Sequence, residues 1–458
     1  MKRKIDNYLD AWVVNSQRKP LVIRGARQIG KTYSIRQLAE RKFKHYIEVN
    51  FERHSDLMEI FNTKNPELII TELSAYFSCS VVPGETLLFL DEIQMAPNAL
   101  ASLRYFYEEM QDLHVIAAGS LLDHTLNEMQ YSMPVGRVEY AYMYPLNFME
   151  FITALDEKGL VEYIEKYRIV HSFSPVLHKK LLSLLRLYYF IGGMPEAVRV
   201  YIETNDLSQV EKIHENILTS LQYDFAKYAN LKQQQLLRQV LWYVATNPGK
   251  EIVYSKVVQG ERGNQIKSAL YKLQMSRLLH LVQMTRSADV PLTSLTSKEK
   301  YKPVFIDIGL ANHLSGIRLK DIKDLILMNE GAMAEQFIGQ EFIASLNPPY
   351  MDTRLYFWKR EAKNSNAEVD YLLQKFNQIY PVEVKAGKTG TLKSLQIFLQ
   401  MYNKKLGIRF NADLPSLGKD LKALVRMNNE AKTLSYDLLS LPLYLAGKTK
   451  KLLEEIAQ

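Results

Sequence analysis

The chain has 458 residues, 47% apolar and 24% charged, the make-up of a soluble globular protein of about three domains. Its one cysteine, Cys79, excludes an internal disulfide framework and a cysteine-based metal cluster, and no apolar run reaches the ~20 residues that span a bilayer. The formal charge of +8 is carried by residues 354–458, with 18 Lys/Arg against 10 Asp/Glu, while residues 1–353 hold 40 of each; a basic C-terminal part points to an anionic partner, nucleic acid foremost.

The start, Met1-Lys2-Arg3-Lys4-Ile5-Asp6, is basic but lacks the apolar core and cleavage site of a signal peptide, so a cytoplasmic location is expected. Over residues 1–150 short apolar strands alternate with amphipathic stretches, which predicts an α/β unit with a parallel sheet. The expected strands are Leu21–Gly25, Tyr46–Phe51, Thr86–Asp91, Val115–Gly119 and Val138–Tyr144. Residues 151–229 read as a helical extension, interrupted where Gly192-Gly193 ends one helix and Pro195 opens the next. Residues 230–316 place helices (231–246, then one spaced by Ile266, Ala269, Leu270 and Leu273) before a hairpin, Leu278–Thr285 with Pro303–Ile308, which predicts a winged helix. On such a module Lys267, Lys272 and Arg277 would meet phosphates. Residues 325–412 read as α+β, with a helix over Ala332–Ile343, strands at Leu355–Trp358, Val369–Leu373 and Ile379–Val384, and a helix over Leu392–Met401. Residues 413–458 are expected to be a tail packed on that last domain.

The first chemical signal is Gly25-Ala26-Arg27-Gln28-Ile29-Gly30-Lys31-Thr32, a G-x-x-x-x-G-K-[ST] loop between the apolar Leu21-Val22-Ile23 and a helical segment. Backbone N–H groups of such a loop and the helix N-terminus beyond it form an anion site. Lys31 is expected to reach the β/γ-phosphates of ATP and Thr32 to hold Mg²⁺. A second strand should then end in an acid beside those phosphates, and Thr86-Leu87-Leu88-Phe89-Leu90-Asp91-Glu92 meets that need with the continuous apolar run of a strand buried on both faces. Asp91 would hold the Mg²⁺ through water, and Glu92 would polarise the attacking water. A third strand, Val115–Gly119, delivers Ser120 to the carboxyl edge, where ligands of open α/β sheets bind. Here the residues resemble AAA-type ATPases, with Ser120 in the sensor-1 position. Asn50, at the end of the second strand, is expected to restrain Glu92 in the empty state, and Arg137 or Arg104 to supply a transition-state arginine, in cis or from a neighbouring subunit.

A second signal lies near the C-terminus. With Phe376-Asn377 at the centre of a tight turn, Asp370 falls opposite Glu383 and Glu368 opposite Lys385. Alternation then puts Asp370, Glu383 and Lys385 on one face, and directly opposed Cβ atoms lie ~5 Å apart, near enough for both carboxylates to ligate one Mg²⁺. Lys385 would orient a water or stabilise charge on a scissile phosphate. With Glu335 on the preceding helix, the set of Glu335, Asp370 and Glu383-Val384-Lys385 resembles the PD-(D/E)XK nuclease superfamily of restriction-endonuclease-like fold; the rival reading is a decayed nuclease fold kept for binding or packing.

The whole chain resembles a bacterial and archaeal family that joins an AAA-type ATPase domain to a C-terminal domain of unknown function with a restriction-endonuclease-like core. The resemblance rests on Arg24 through Thr32, Leu90-Asp91-Glu92-Ile93-Gln94, Ala118-Gly119-Ser120, Tyr144-Pro145-Leu146, Gly192-Gly193-Met194-Pro195-Glu196, Phe305-Ile306-Asp307-Ile308-Gly309-Leu310 and Glu368-Val369-Asp370. It implies an ATPase coupled to a nucleic-acid-directed module. The alternative is an ATP-driven signalling switch that acts on a protein partner, with an inactive nuclease fold; a homo-oligomer is an expectation under either reading.

Overall fold

The computed structural model describes residues 1–128, 136–317, 330–361, 367–385, 391–427 and 430–457. Two compact units result: Met1–Tyr144 with Tyr271–Leu278 and Asn347–Asp352, and Pro145–Leu270 with Leu279–Leu346 and Thr353–Gln458.

The first unit contains α1 (Lys4–Val14), β1 (Leu21–Arg24), α2 (Lys31–Lys42), β2 (His45–Asn50), α3 (Pro66–Phe77), β3 (Thr86–Asp91), α4 (Pro97–Glu109), β4 (His114–Gly119), α5 (Leu122–Glu128) and β5 (Glu139–Tyr142). The five strands form one sheet in the order β2-β3-β4-β1-β5, every pair parallel. Parallel strands need crossovers that cover both faces, so central strands lose all water contact. Every residue of β3 and of β4 is accordingly buried. A core of Val22, Ile47, Val49, Leu88, Leu90, Val115 and Ala117 packs on Leu57, Phe61, Ile69, Leu73, Leu103 and Phe106. This order inserts β4 between β1 and β3, which sets Ser120 between the phosphate loop and the Asp91-Glu92 tip.

The second unit begins with helices α6 (Phe148–Ala154), α7 (Lys158–Lys166), α8 (Pro175–Ile191), α9 (Pro195–Thr204), α10 (Leu207–Tyr223), α11 (Leu231–Thr246), α12 (Tyr254–Val257) and α13 (Gly263–Met275), of which the residues from Tyr271 onward count with the first unit. After them come β6 (Leu279–Thr285), β7 (Thr296–Phe305), α14 (Ile308–Leu314), α15 (Glu330–Ser345), β8 (Tyr356–Lys359), β9 (Glu368–Lys375), β10 (Gln378–Val384), α16 (Lys393–Met401), β11 (Leu406–Asn411), β12 (Ser416–Met427), β13 (Glu430–Pro442) and α17 (Thr449–Ala457). All eight strands join one mixed sheet, β12-β13-β11-β10-β9-β8-β6-β7.

That sheet redraws the expected organisation. The hairpin read as a wing is β6-β7, and β6 pairs in parallel with β8 through Gln283↔Tyr356 and Thr285↔Trp358. Residues 413–458 are no mere tail: β13 pairs with β11 over Leu406↔Asp437 to Asn411↔Pro442, and β12 forms the edge. The β9-β10 hairpin has the expected register, Lys375↔Gln378 to Tyr371↔Val382. Phe376 (φ 50) and Asn377 (φ 58) both take left-handed backbone, as a two-residue turn matching strand twist demands. Residues 325–329, 362–366 and 386–390 of the expected 325–412 domain lie outside the described residues.

Several quoted phrases meet in one buried knot. Asp307 caps α14 through Leu310 N–H (3.0 Å) and accepts from Gly193 N–H (2.6 Å). The Gly193 carbonyl accepts from Leu146 N–H (2.7 Å), whose own carbonyl takes the Tyr188 hydroxyl (2.5 Å). A Cβ on Gly192 would lie 2.1 Å from Asp307 Oδ1, so glycine is required there. These residues are explained by packing.

Candidate functional site

The loop between β1 and α2 closes because Gln28 (φ 64) and Gly30 (φ 90) take left-handed backbone. Gly25 is fixed by close approach, since a Cβ there would lie 2.3 Å from the Met143 carbonyl oxygen and 2.4 Å from Ile29 Cδ1. Lys31 opens α2, is buried, and turns its ammonium back to donate to the carbonyls of Gly25 (3.0 Å) and Ala26 (2.7 Å). Burial pulls this ammonium down to about 8, while Glu92 and Asp91 act in the opposite sense. The loop thus holds a buried cation on neutral acceptors, an arrangement a polyphosphate would improve.

Across from it, Thr32 Oγ1 donates to Asp91 Oδ2 at 3.1 Å. Burial, and then the neighbouring Glu92, push the Asp91 carboxyl above its ordinary range. A hydroxyl and a carboxylate meeting where negative charge is under-compensated are a hard oxygen donor set, which fits Mg²⁺. Asn50 donates to this same Asp91 Oδ2 (3.2 Å), and its side-chain oxygen Oδ1 accepts from Glu52 and Arg53 N–H in the following turn. The expected restraint on Glu92 therefore falls on Asp91.

Glu92 itself sits at φ 53, just beyond the last residue of β3. Its Oε2 accepts from Gln94 Nε2 at 2.5 Å and from Ser120 Oγ at 3.4 Å. The carboxyl edge of the sheet thus brings together Lys31, Thr32, Asp91, Glu92 and Ser120. Gln94 escaped the sequence reading of roles, although it lies inside the quoted Leu90–Gln94 phrase.

The arginines fall elsewhere. Arg137 precedes β5, and Lys19, ahead of β1, donates to the carbonyl of adjacent Gly136. In a parallel sheet that is the amino edge, opposite the phosphate loop, so Arg137 has no route to the phosphates within its own chain. Its guanidinium pairs with Glu108 (2.8 Å), as does that of Arg104 (3.1 Å). Arg277 is no phosphate-facing surface residue either: it is mostly buried within the first unit, paired with Asp123 (2.7 Å) and Asp352 (2.9 Å). Asp123 also pairs with Arg24 at 3.1 Å.

In the second unit the register brings Asp370 and Glu383 to one neighbourhood, where Asp370 Oδ2 accepts from Val384 N–H (2.8 Å) and Lys385 pairs with Glu383 Oε1 (2.6 Å). The structure adds a residue that the sequence reading missed. Lys302 of β7, with its side chain 3% exposed, inserts its ammonium among Glu335 (2.8 Å), Glu368 (2.5 Å) and Asp370 (3.7 Å). Lys359 bridges Glu251 (2.5 Å) and Glu368 (3.7 Å) alongside. Burial opposes the Lys302 charge, yet Glu335, Asp370 and Glu368 together hold it well above the ordinary lysine range. Burial pushes Glu335 up to about 8 and Glu383 up to about 7, with Asp370 raised as well. Glu383 Oε2 is buried without a partner. Among the described residues, no group of three or more His, Cys, Asp or Glu side chains is arranged to hold a metal ion.

Residues 17–152 match the family model of an AAA domain, residues 182–321 that of a domain of unknown function (DUF8612), and residues 330–444 that of another (DUF4143). No curated protein matches the chain. Similar solved structures include a Walker-type ATPase of Pyrococcus abyssi, 14% identical over 69% of this chain and 95% of that one, with a TM-score of 0.43. The ORC2 protein of Aeropyrum pernix in its ADPNP-ADP complexes is 12% identical over 71% and 95%, with a TM-score of 0.35. AMPPCP-bound DnaA from Aquifex aeolicus is 12% identical over 58% and 77%, with a TM-score of 0.26. Among the described residues no helix is long and apolar enough to cross a membrane. With the family match over residues 17–152, the loop and the parallel sheet identify the amino-terminal part of the chain as an AAA-type P-loop ATPase domain that binds ATP.

Proposed function

We propose that the chain is a magnesium-dependent ATPase, working in the cytoplasm, that uses its nucleotide cycle to act through the C-terminal sheet module on an anionic partner, nucleic acid foremost. The observation that carries the hydrolytic reading is Glu92, presented at the sheet edge beside Asp91 and Ser120 and across from the phosphate loop.

In this reading the loop N–H groups and Lys31 take the phosphates, the ammonium leaving the Gly25 and Ala26 carbonyls to do so. Thr32 and Asp91 would hold Mg²⁺, which neutralises charge on the phosphate oxygens. Glu92 accepts a proton from water as the water oxygen bonds to the γ-phosphorus and the bond to the β–γ bridging oxygen breaks, giving ADP and phosphate. Ser120 orients the γ-phosphate or the water. Arg137, if it serves as a transition-state arginine, would do so from a neighbouring subunit.

The nucleic-acid reading is supported by the charge surplus of residues 354–458 and by exposed Lys419, Lys422, Arg426 and Lys432 on the β12-β13 hairpin. One observation favours the second reading, a switch acting on a protein partner with an inactive nuclease-like cluster: Lys302 already supplies a cation among Glu335, Glu368 and Asp370. ATP turnover with and without duplex DNA, with cleavage products examined in the same tubes, separates the two. Cleavage that needs metal and is lost in Asp370→Ala supports a nuclease; ATP turnover without cleavage or DNA stimulation supports the switch.

A further inference from the structure

Glu92 is held by a residue that neither its strand nor the phosphate loop provides. Gln94 lies in the short turn Ile93–Met95 between β3 and α4 and is buried. A carboxylate only accepts hydrogen bonds, so the contact of 2.5 Å to Glu92 Oε2 must come from the amide nitrogen of Gln94. The other end of the amide is thereby fixed. Gln94 Oε1 points at Gly119, where an added Cβ would lie 2.3 Å away, and it is buried with no hydrogen-bond partner.

Turning the amide over would set its oxygen against the Glu92 carboxylate, two acceptors face to face, and leave the –NH2 towards Gly119. The carboxylate therefore sets the orientation of the amide, at the cost of the unpaired Oε1. Ser120 Oγ donates to the same oxygen, Oε2, at 3.4 Å. Both donors thus converge on one oxygen of Glu92, and Oε1 has no partner among the described residues. A base oriented for proton transfer needs that division: one oxygen anchored, one open.

We propose that Gln94 is a positioning residue of the ATPase reaction, anchoring Glu92 through Oε2 so that Oε1 faces the attacking water, with Gly119 required small to admit its amide. The inference rests on Glu92 as the base.

The test uses the full chain with Mg-ATP and two substitutions, Gln94→Met, which keeps the length and removes the donor, and Gln94→Glu, which keeps the shape and puts a carboxylate against a carboxylate. Losing a hydrogen bond to a charged group corresponds to a fall in kcat of about 10- to 100-fold. KM for ATP should stay within about twofold, because the phosphate loop is untouched. Added to Glu92→Gln, Gln94→Met should cause no further loss in the single-turnover rate, since the anchor acts only through that side chain. Wild-type kcat in either Gln94 variant, or equal losses from Gln94→Met with and without Glu92, would overturn the inference. Normal turnover in Glu92→Gln would instead remove the reading of Glu92 as base.

Discussion

Replacing Lys302 by methionine removes the only ammonium within 4 Å of Glu335 among the described residues, together with the closest cation of Glu368. The side chain is 3% exposed, so water cannot take over the lost charge. Breaking a buried ion pair by deleting one partner costs about 3–5 kcal/mol. For a unit of this size that is roughly a 5–10 °C fall in melting temperature. The loss should depend on pH. Glu335 is pushed up to about 8 and Glu383 up to about 7 from the ordinary 4.5 of a glutamate, so the folded state binds these protons more tightly than the unfolded one. Their contribution is fully present below about 4.5 and is lost as pH rises through about 7 and then about 8. Without Lys302 more negative charge stays uncompensated at high pH, so the gap between variant and wild type should widen from about pH 5 to about pH 8. Thermal unfolding of both proteins across that range reads it directly. In Lys302→Met, Mn²⁺ should also recover part of the lost stability, and in wild type it should not. Equal stability at about pH 8, or a gap that narrows as pH rises, would refute the reasoning that Lys302 is the internal cation of this cluster.

Two other outcomes follow from the sites. Lys31→Ala should weaken ATP binding by at least tenfold in equilibrium titration, because a hydrogen bond from this ammonium to a phosphate oxygen, made once it leaves the Gly25 and Ala26 carbonyls, is worth about 1.5–3 kcal/mol. If the basic C-terminal surface binds nucleic acid, Lys422→Glu with Arg426→Glu should lower duplex affinity and flatten its dependence on salt in fluorescence anisotropy; unchanged binding, or none in wild type, would remove that surface from the argument.

What the sequence revealed was local. The phosphate loop, the apolar run ending at Asp91-Glu92 and the turn at Phe376-Asn377 each depend on neighbours a few residues away, and the structure places them as their patterns demand. Lys302 was out of reach for the opposite reason. It lies 33 residues before Glu335 on a hairpin whose own pattern said wing, and only the parallel pairing of β6 with β8 carries that hairpin into the carboxylate sheet. The strand β13 did leave a signal, Leu434-Ser435-Tyr436-Asp437-Leu438, whose period of two matches its alternating burial. Arg137 comes just before the strand β5, so chain order alone put it at the amino edge of a parallel sheet, away from the phosphate loop within its own chain. Gln94 stood in plain view, but its contact with Glu92 depends on the left-handed turn that follows β3.

Glu92 is the group that would make this nucleotide-binding domain hydrolytic. The most direct measurement is phosphate release from Mg-ATP by wild type and Glu92→Gln, paired with ATP retained on each protein. Hydrolysis by wild type, with release lost and ATP still bound in Glu92→Gln, is the predicted result. Undiminished release in Glu92→Gln would contradict it.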